Sequence, residues 1–577
     1  MPSTILTENF SLLWPPGSKS DLGVVRSYLA PVAASDLGMQ NLINIFTTNN
    51  EHQKEIWKVL NTLCQDLSVI RYRQEVLEDL LCHTQLVDLL EALLPTIDAL
   101  GRQSHRVVQD MTTLHEFTWR MGELQSIVDC IHYLGEVFQE IGGSLSSQGL
   151  CLLRDQIAEI QADPDFQDLV EKLPKLLAEL RTCASVTIGI NLDQFLRPVE
   201  ATLLAVNEER FTSQSMLSRI FGRKVNEREG LVALHTVPKR EVEGPYALPI
   251  DPELGRAVDP MMVPLFEDLS RIIEKITRPI TKEVKRYTNI NGRMFVNLRT
   301  DLIFYLGAVR YVTGMRRHGL PVCMPDIVSL EERLCQVDEA YNVHLVSLLS
   351  GGDPERDLNA AVVLNNIEFG PEGRVLILTG PNRGGKTAYM QGVGLIQVLS
   401  QAGLYVPGSR ARISPVDNIY THFPTEEKPG TDTGRFGAEA KRLGEIFQQV
   451  TRYSLVLLNE SLSSTSTGES LYIARDLVCI IRRYGGRAIY STHLHELAEN
   501  VDELNRSTPG ESKIISIVSS PVKDNHPPGA DIHRTFKIEA REPMGRSYAR
   551  EIATKYGISY DQLENLLIER GVFGNNS

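Results

Sequence analysis

The sequence is poor in the features that mark several protein classes. Only eight cysteines occur in 577 residues, and none forms a CxxC pair. Neither a disulfide framework nor a zinc ribbon is therefore expected, and reduced, mostly buried thiols are. The N-terminus, MPSTILTENFSLLWPPGSKSD, lacks a basic start followed by a long apolar run, so a signal peptide is not expected. No uncharged apolar stretch reaches the roughly 18–20 residues of a membrane span. These absences point to a cytoplasmic protein with no membrane partner. Basic excess is missing as well: 59 Lys+Arg stand against 73 Asp+Glu, a net charge of −14. That excludes a histone-like polycation but leaves room for a local basic surface. Fixed-period repeats and low-complexity tracts are also missing. The 42% of apolar residues is enough to fill real cores. At roughly 100–200 residues per domain the chain has the length of about three to five domains.

Composition shifts divide the chain. Residues 1–35, punctuated by Pro15, Pro16, Gly17, Gly23 and Pro31, read as an irregular N-terminal arm. From 36 to 182 apolar residues recur at three- and four-residue spacing, as in EIWKVLNTLCQDLSVIRYRQEVLEDLLCHTQLVDLLEALL, which predicts long amphipathic helices. The pattern breaks at 183–258, where SVTIGIN and EATLLAVN predict a small β insertion. Helical periodicity returns over 259–350, with Pro279 a kink or boundary. Beyond 350, RVLILTG, SLVLLNE and RAIYSTH are short β-rich runs ending in polar or Gly residues and separated by helical stretches. A parallel α/β domain over 351–577, with function at the C-terminal ends of its strands, is expected.

Three motifs in that domain carry chemistry. Gly380-Pro381-Asn382-Arg383-Gly384-Gly385-Lys386-Thr387 fits GxxxxGK[ST] between a strand and a helix. Glycines there let backbone N–H groups curl around phosphate oxygens. Lys386 reaches the β/γ-phosphates and the Thr387 hydroxyl ligands Mg²⁺. Next, Leu455-Val456-Leu457-Leu458 leads into Asn459-Glu460. In P-loop ATPases a second strand brings an acid near Mg²⁺ and the next carboxylate polarises the attacking water. Asn459 puts an amide in the first position, whereas Glu460 remains a base. Third, Ile489-Tyr490-Ser491-Thr492-His493 is a strand whose terminal His493 can hydrogen-bond a γ-phosphate. The hydroxyl-rich Ser463–Gly468 loop between them offers donors and helix caps.

The stretches LTGPNRGGKT, YVPGSRARISPVDNIYTHF, YSLVLLNESLSSTST and YSTHLHEL together resemble the MutS family of DNA mismatch-repair ATPases, within the ABC-type ATPase superfamily. GRSYAREIATKYGIS resembles the tail of that family, and SVIRYRQEVLEDLL its core and lever helices. The resemblance implies a multidomain α plus α/β protein, a helical core and lever region with a small β insertion followed by a P-loop ABC-type ATPase domain. It implies ATP and Mg²⁺ at the site, with Glu460 and His493 catalytic and Thr387 and Asn459 at the metal. It also implies a homodimer in which the segment around Gly434 and Phe436 completes the partner's ATP site. Two departures bear on hydrolysis: Asn459 stands where the family carries aspartate, and the segment Thr433–Glu439 lacks the family's serine. Because the helical region begins by about residue 36, a short form without the family's mismatch-recognition and connector domains is expected.

Segment 271–317 carries eleven basic residues and three acids, a local balance of +8. Arg271, Lys275, Arg278, Lys282, Lys285 and Arg286 recur at helical steps and form a candidate basic face for phosphates. Arg278, Lys282, Lys285 and Arg286 are the candidate DNA contacts, backbone- and structure-driven, since no motif for reading base edges is present. The expected function is an ATP-switched DNA clamp in mismatch repair or in recognition of branched, recombination-type DNA. The alternatives are a clamp on a non-DNA target, such as a ribosome or a protein to be remodelled, and a nucleotide-binding scaffold with little turnover.

Overall fold

Leucine and isoleucine spacing sets the helices. On Thr84–Ser104, Leu86, Leu90, Leu93, Ile97 and Leu100 recur at steps of three and four and are all buried, as one face of a 3.6-residue helix requires. Leu124, Ile127, Ile131, Leu134 and Phe138 do the same on Thr113–Ile141, and the two helices pack together. The computed structural model describes residues 10–18, 28–104, 113–181, 185–192, 194, 198–207, 282–287, 290, 292–381, 384–424, 434–462, 464–519, 535–543 and 556–570. It divides into two compact units. No single helix among the described residues is long and apolar enough to cross a membrane.

The first unit spans 83–146 and 150–299, with the first ten residues. Its helices include Pro164–Arg181, capped by Asp163, whose Oδ1 accepts from the N–H groups of Asp165 and Phe166. Within the stretch read as a β insertion over 183–258 an antiparallel hairpin forms, β1 (Ser185–Leu192) with β2 (Pro198–Asn207), in the register Ser185↔Asn207; residues 208–258 lie outside the described residues. Arg120 reaches across to the carbonyl oxygens of Tyr287 and Ile290, at 2.7 and 2.5 Å. Arg299 pairs with Asp98 at 2.6 Å. Pro279 lies outside the described residues.

The second unit comprises 11–82, 147–149 and 300–577. Its main sheet has the order β10 (Ile419–His422), β11 (Leu455–Asn459), β12 (Arg487–Ser491), β7 (Val375–Thr379), β13 (Ile514–Ser519) and β14 (Ile538–Ala540). The first five are mutually parallel and β14 is antiparallel. β7, β11 and β12 are buried at every position, which is why β7 and β11 read as nearly continuous apolar runs rather than alternating ones. A second sheet, β4 (Asp326–Ile327), β9 (Arg410–Ile413), β5 (Cys335–Ala340) and β6 (Asn365–Phe369), lies in the same unit, as does the pair β3 (Val322–Cys323) and β8 (Val406–Pro407). β3, β4 and β5 fall within the stretch read as helical over 259–350, which therefore holds strands between 322 and 340, paired with β6, β8 and β9 from further along the chain. Arg487, fully buried at the start of β12, donates to the carbonyls of Leu334, Ser414 and Pro415. It thereby ties the two sheets, and burial pushes its guanidinium down to about 10.

The arm read over 1–35 and the helical region read from 36 divide differently in space. Residues 11–82 belong with the α/β domain. Leu12 and Leu13 are buried, and a short helix forms at Pro31–Asp36. The reason is hydrogen-bond satisfaction. Buried Asp301 accepts from Ser11 Oγ and Leu12 N–H at 2.7 Å each. Tyr305, Tyr72 and Arg73 donate to the carbonyls of Leu12, Ser11 and Leu13, so a chain segment without helical periodicity is held by buried polar groups.

Candidate nucleotide site

The site grows from the end of β7. Gly380 has φ 139° and Gly385 φ 87°, left-handed values that a side chain resists. Gly385 serves as N-cap of the helix Lys386–Gln401 without a side-chain cap, so the first N–H groups of the helix are of the kind that can receive an anion. A Cβ at Gly380 would come within 2.8 Å of Ser519 Cβ, so only glycine allows the loop to lie against β13. Asn382 and Arg383, two positions of the loop, lie outside the described residues.

Lys386 is 4% exposed. Its Nζ donates to the carbonyls of Gly380 and Pro381 at 3.0 Å each and stands 4.0 Å from Glu460 Oε1. Burial holds its ammonium below the usual lysine range, opposed by the Glu460 charge. A buried cation satisfied mainly by loop carbonyls is what an incoming phosphate group would neutralise. Asn459 Nδ2 donates to Thr387 Oγ1 at 3.1 Å. Asn459 Oδ1 is buried with no hydrogen-bond partner among the described residues. Thr387 Oγ1 and an orphaned amide oxygen are hard oxygen donors, which fits Mg²⁺ held directly or through its waters.

Strand order brings the third motif in. β12 lies between β11 and β7, so the turn after Ser491 falls between the other two strand ends. His493 Nε2 is 2.9 Å from Glu460 Oε1. That hydrogen bond holds the Glu460 carboxyl below its ordinary value, against partial burial. Glu460 has φ 49°, a left-handed conformation rare outside glycine and often found at functional turns, and its N–H is pinned to Ser491 O at 2.9 Å. Beyond it, Ser466 caps the helix Thr467–Tyr484, and Glu469 closes a capping box with it.

Sequence reasoning missed the cavity beside the loop. It has a volume of about 500 Å³ and runs from Gly384–Thr387 past Tyr341, Leu345, Ile367 and Phe536. These residues come from four separate stretches of chain and share no motif, so only the fold assembles them. Gly434 opens the helix Gly434–Phe447, and Phe436 on it is 36% exposed. Of the basic candidates, Arg278 lies outside the described residues. Lys282 is exposed in a helical turn and Lys285 lies in a short 3₁₀ turn. Arg286 pairs with Glu283 at 2.8 Å, and Glu283 also binds Lys172 at 3.0 Å.

A parallel sheet with a glycine-rich loop leading from a central strand into a helix, and with polar ends of two further strands converging on it, defines the P-loop α/β class. Two family models match the chain: MutS domain V over residues 376–550 and the MutS2 N-terminal domain over residues 65–318. DNA mismatch repair protein MutS of Chlorobium limicola is 26% identical over 446 residues, covering 73% of this chain and 48% of the relative. The same-named protein of Trichormus variabilis is 26% identical over 463 residues, 71% of this chain and 53% of the relative. That of Chloroflexus aurantiacus is 28% identical over 312 residues, 51% of this chain and 31% of the relative. The chain belongs to the MutS family. It spans about a third to a half of the length of these curated relatives.

Proposed function

We propose that the chain is an ATP-dependent DNA-binding clamp of the MutS kind, which hydrolyses ATP slowly and uses it as a switch. The observation that carries this reading is the convergence of Lys386, Thr387, Asn459, Glu460 and His493 on one loop. Lys386 binds the β/γ-phosphates, the loop N–H groups orient them, and the base occupies the cavity bounded by Tyr341, Leu345 and Phe536. Glu460, ionised and aligned by His493, accepts a proton from the attacking water. Thr387 and Asn459 would hold Mg²⁺, which when bound neutralises charge on the transferring phosphoryl group. One amide in place of a carboxylate would leave that charge less compensated and turnover correspondingly slow. Phe436 and the start of its helix complete the site of a second copy, and ATP tightens the dimer.

DNA contact is assigned to the basic run through Arg278, Lys282, Lys285 and Arg286, acting on phosphates rather than bases. The target is mismatched or branched DNA. One observation favours the alternative of a non-DNA target: Arg286 is already paired with Glu283, which weakens the face it was read to build. Lys386→Ala is the test of the core reading. It removes the buried cation while leaving the loop glycines, and should abolish detectable binding of labelled ATP in a folded protein. Unchanged affinity would end the reading. DNA affinity that falls steeply with salt separates a phosphate-led contact from a protein target.

A further inference from the structure

Asp36 ends the short helix Pro31–Asp36, ahead of residue 65, where the first family match begins. It is built into the nucleotide-site unit at three points. Its Oδ2 accepts from Thr421 Oγ1 in β10 at 2.6 Å and from an Arg442 guanidinium N–H at 2.8 Å. Arg442 lies on the helix Gly434–Phe447 and also donates to the carbonyl of Thr421 at 3.0 Å. The Asp36 carbonyl accepts from Gln391 Nε2, on the phosphate-loop helix, at 2.8 Å. The side chains of the ion pair are only 13% and 22% exposed, so water competes weakly for them.

The next residue seals the junction. Leu37 is fully buried, and a Cβ on Gly394 would come within 2.4 Å of its Cδ2. The phosphate-loop helix therefore meets this turn at a point where residue 394 must lack a side chain. On the other side, Glu439 of the helix Gly434–Phe447 accepts from Ser464 Oγ at 3.0 Å. Ser464 belongs to the loop that Glu460 opens. A continuous set of contacts thus runs from the phosphate-loop helix through Asp36 and Arg442 to Glu439 and the Glu460 loop.

We propose that Asp36 is a positioning residue of the nucleotide site, which ties the phosphate-loop helix to the helix Gly434–Phe447 and transmits nucleotide binding from the one to the other. Asp36 touches no phosphate. It acts by fixing, through Gln391 and Arg442, the angle at which the Phe436 end and the Ser464 contact are presented. Coupling of this kind needs two elements joined by contacts that both ends bias, and the Asp36 carboxylate and carbonyl supply both. The proposal rests on the reading of the P-loop as an ATP site.

The test is amide hydrogen exchange over residues 434–447, with and without ATP and Mg²⁺, in the full chain and in Asp36→Ala. ATP should slow exchange there in the natural protein. In the variant ATP should still bind, within about threefold, but the slowing over 434–447 should be lost; turnover should fall about tenfold with KM little changed. If Asp36→Ala does not fold, Asp36→Asn, which keeps the shape and loses the charge, carries the same expectation, and Asp36→Glu should restore part of the response. Equal slowing in natural protein and folded variant would overturn the proposal, as would ATP binding in the natural protein with no response over 434–447. Absence of ATP binding to the natural protein would instead overturn the nucleotide reading itself.

Discussion

Asn459→Asp probes the most unusual position of the site. The side chain is 4% exposed and donates from Nδ2 to Thr387 Oγ1 at 3.1 Å, while Oδ1 has no partner among the described residues. Without metal, a carboxylate there loses the donor, gains one bond if the Thr387 hydroxyl turns to donate, and stands next to the ionised Glu460. A buried group so poorly compensated costs about 1–3 kcal/mol, which lowers Tm by a few degrees, on the order of 2–5 °C for a domain of this size. With Mg²⁺ the sign reverses. A charged acceptor is worth roughly 1–1.5 kcal/mol more than a neutral one, and 1.4 kcal/mol is about tenfold in rate. Asn459→Asp should therefore be less stable than the natural protein without Mg²⁺, regain that stability with Mg²⁺ and ATP, and hydrolyse ATP about tenfold faster at limiting Mg²⁺. Thermal unfolding and steady-state hydrolysis across a magnesium series measure both. A natural enzyme as fast as the variant at low Mg²⁺ would refute the charge argument.

Two further perturbations follow from named contacts. His422, buried and 2.7 Å from Ser461 Oγ, is pushed down to about 4 by burial and by Arg442. The fold keeps it neutral while the unfolded chain binds a proton below about 6.5, so its contribution is complete above that pH and declines toward about 4. Asp301, pushed up to about 6 by burial, acts in the opposite sense over about 3.8–6. His422→Gln accordingly should gain about 2 kcal/mol on the natural protein between pH 7 and pH 5; denaturant titrations with the same difference at both pH values would remove the histidine from the account. Reversing Lys282, Lys285 and Arg286 to Glu should weaken binding to duplex, forked and four-way DNA about equally. Unaltered DNA affinity in a fluorescence titration would show that this face is only solvated.

Local pattern made much of this molecule readable. The phosphate loop is legible because its chemistry needs consecutive glycines, a lysine and a hydroxyl in one short run, and its strand and helix neighbours have distinct periods. Glu460 and His493 are legible because each stands just past the end of a buried, largely apolar strand, and a polar residue at such an end has few other uses. The helices of the first unit follow from leucine spacing alone, and the β1–β2 hairpin from two β-rich runs. Tertiary structure decided what pattern cannot encode. It inserted β12 between β11 and β7, which brings His493 to Glu460, residues 33 apart in the chain, at hydrogen-bond distance. It gathered Tyr341, Leu345, Ile367 and Phe536 into one cavity. It also drew residues 11–13 and Asp36 onto the α/β domain, because Asp301, Arg73 and Arg442 are buried or half-buried polar groups whose partners are supplied by chain far away in sequence. Periodicity reports which face of an element is buried; it carries no record of which distant segment satisfies a polar group there.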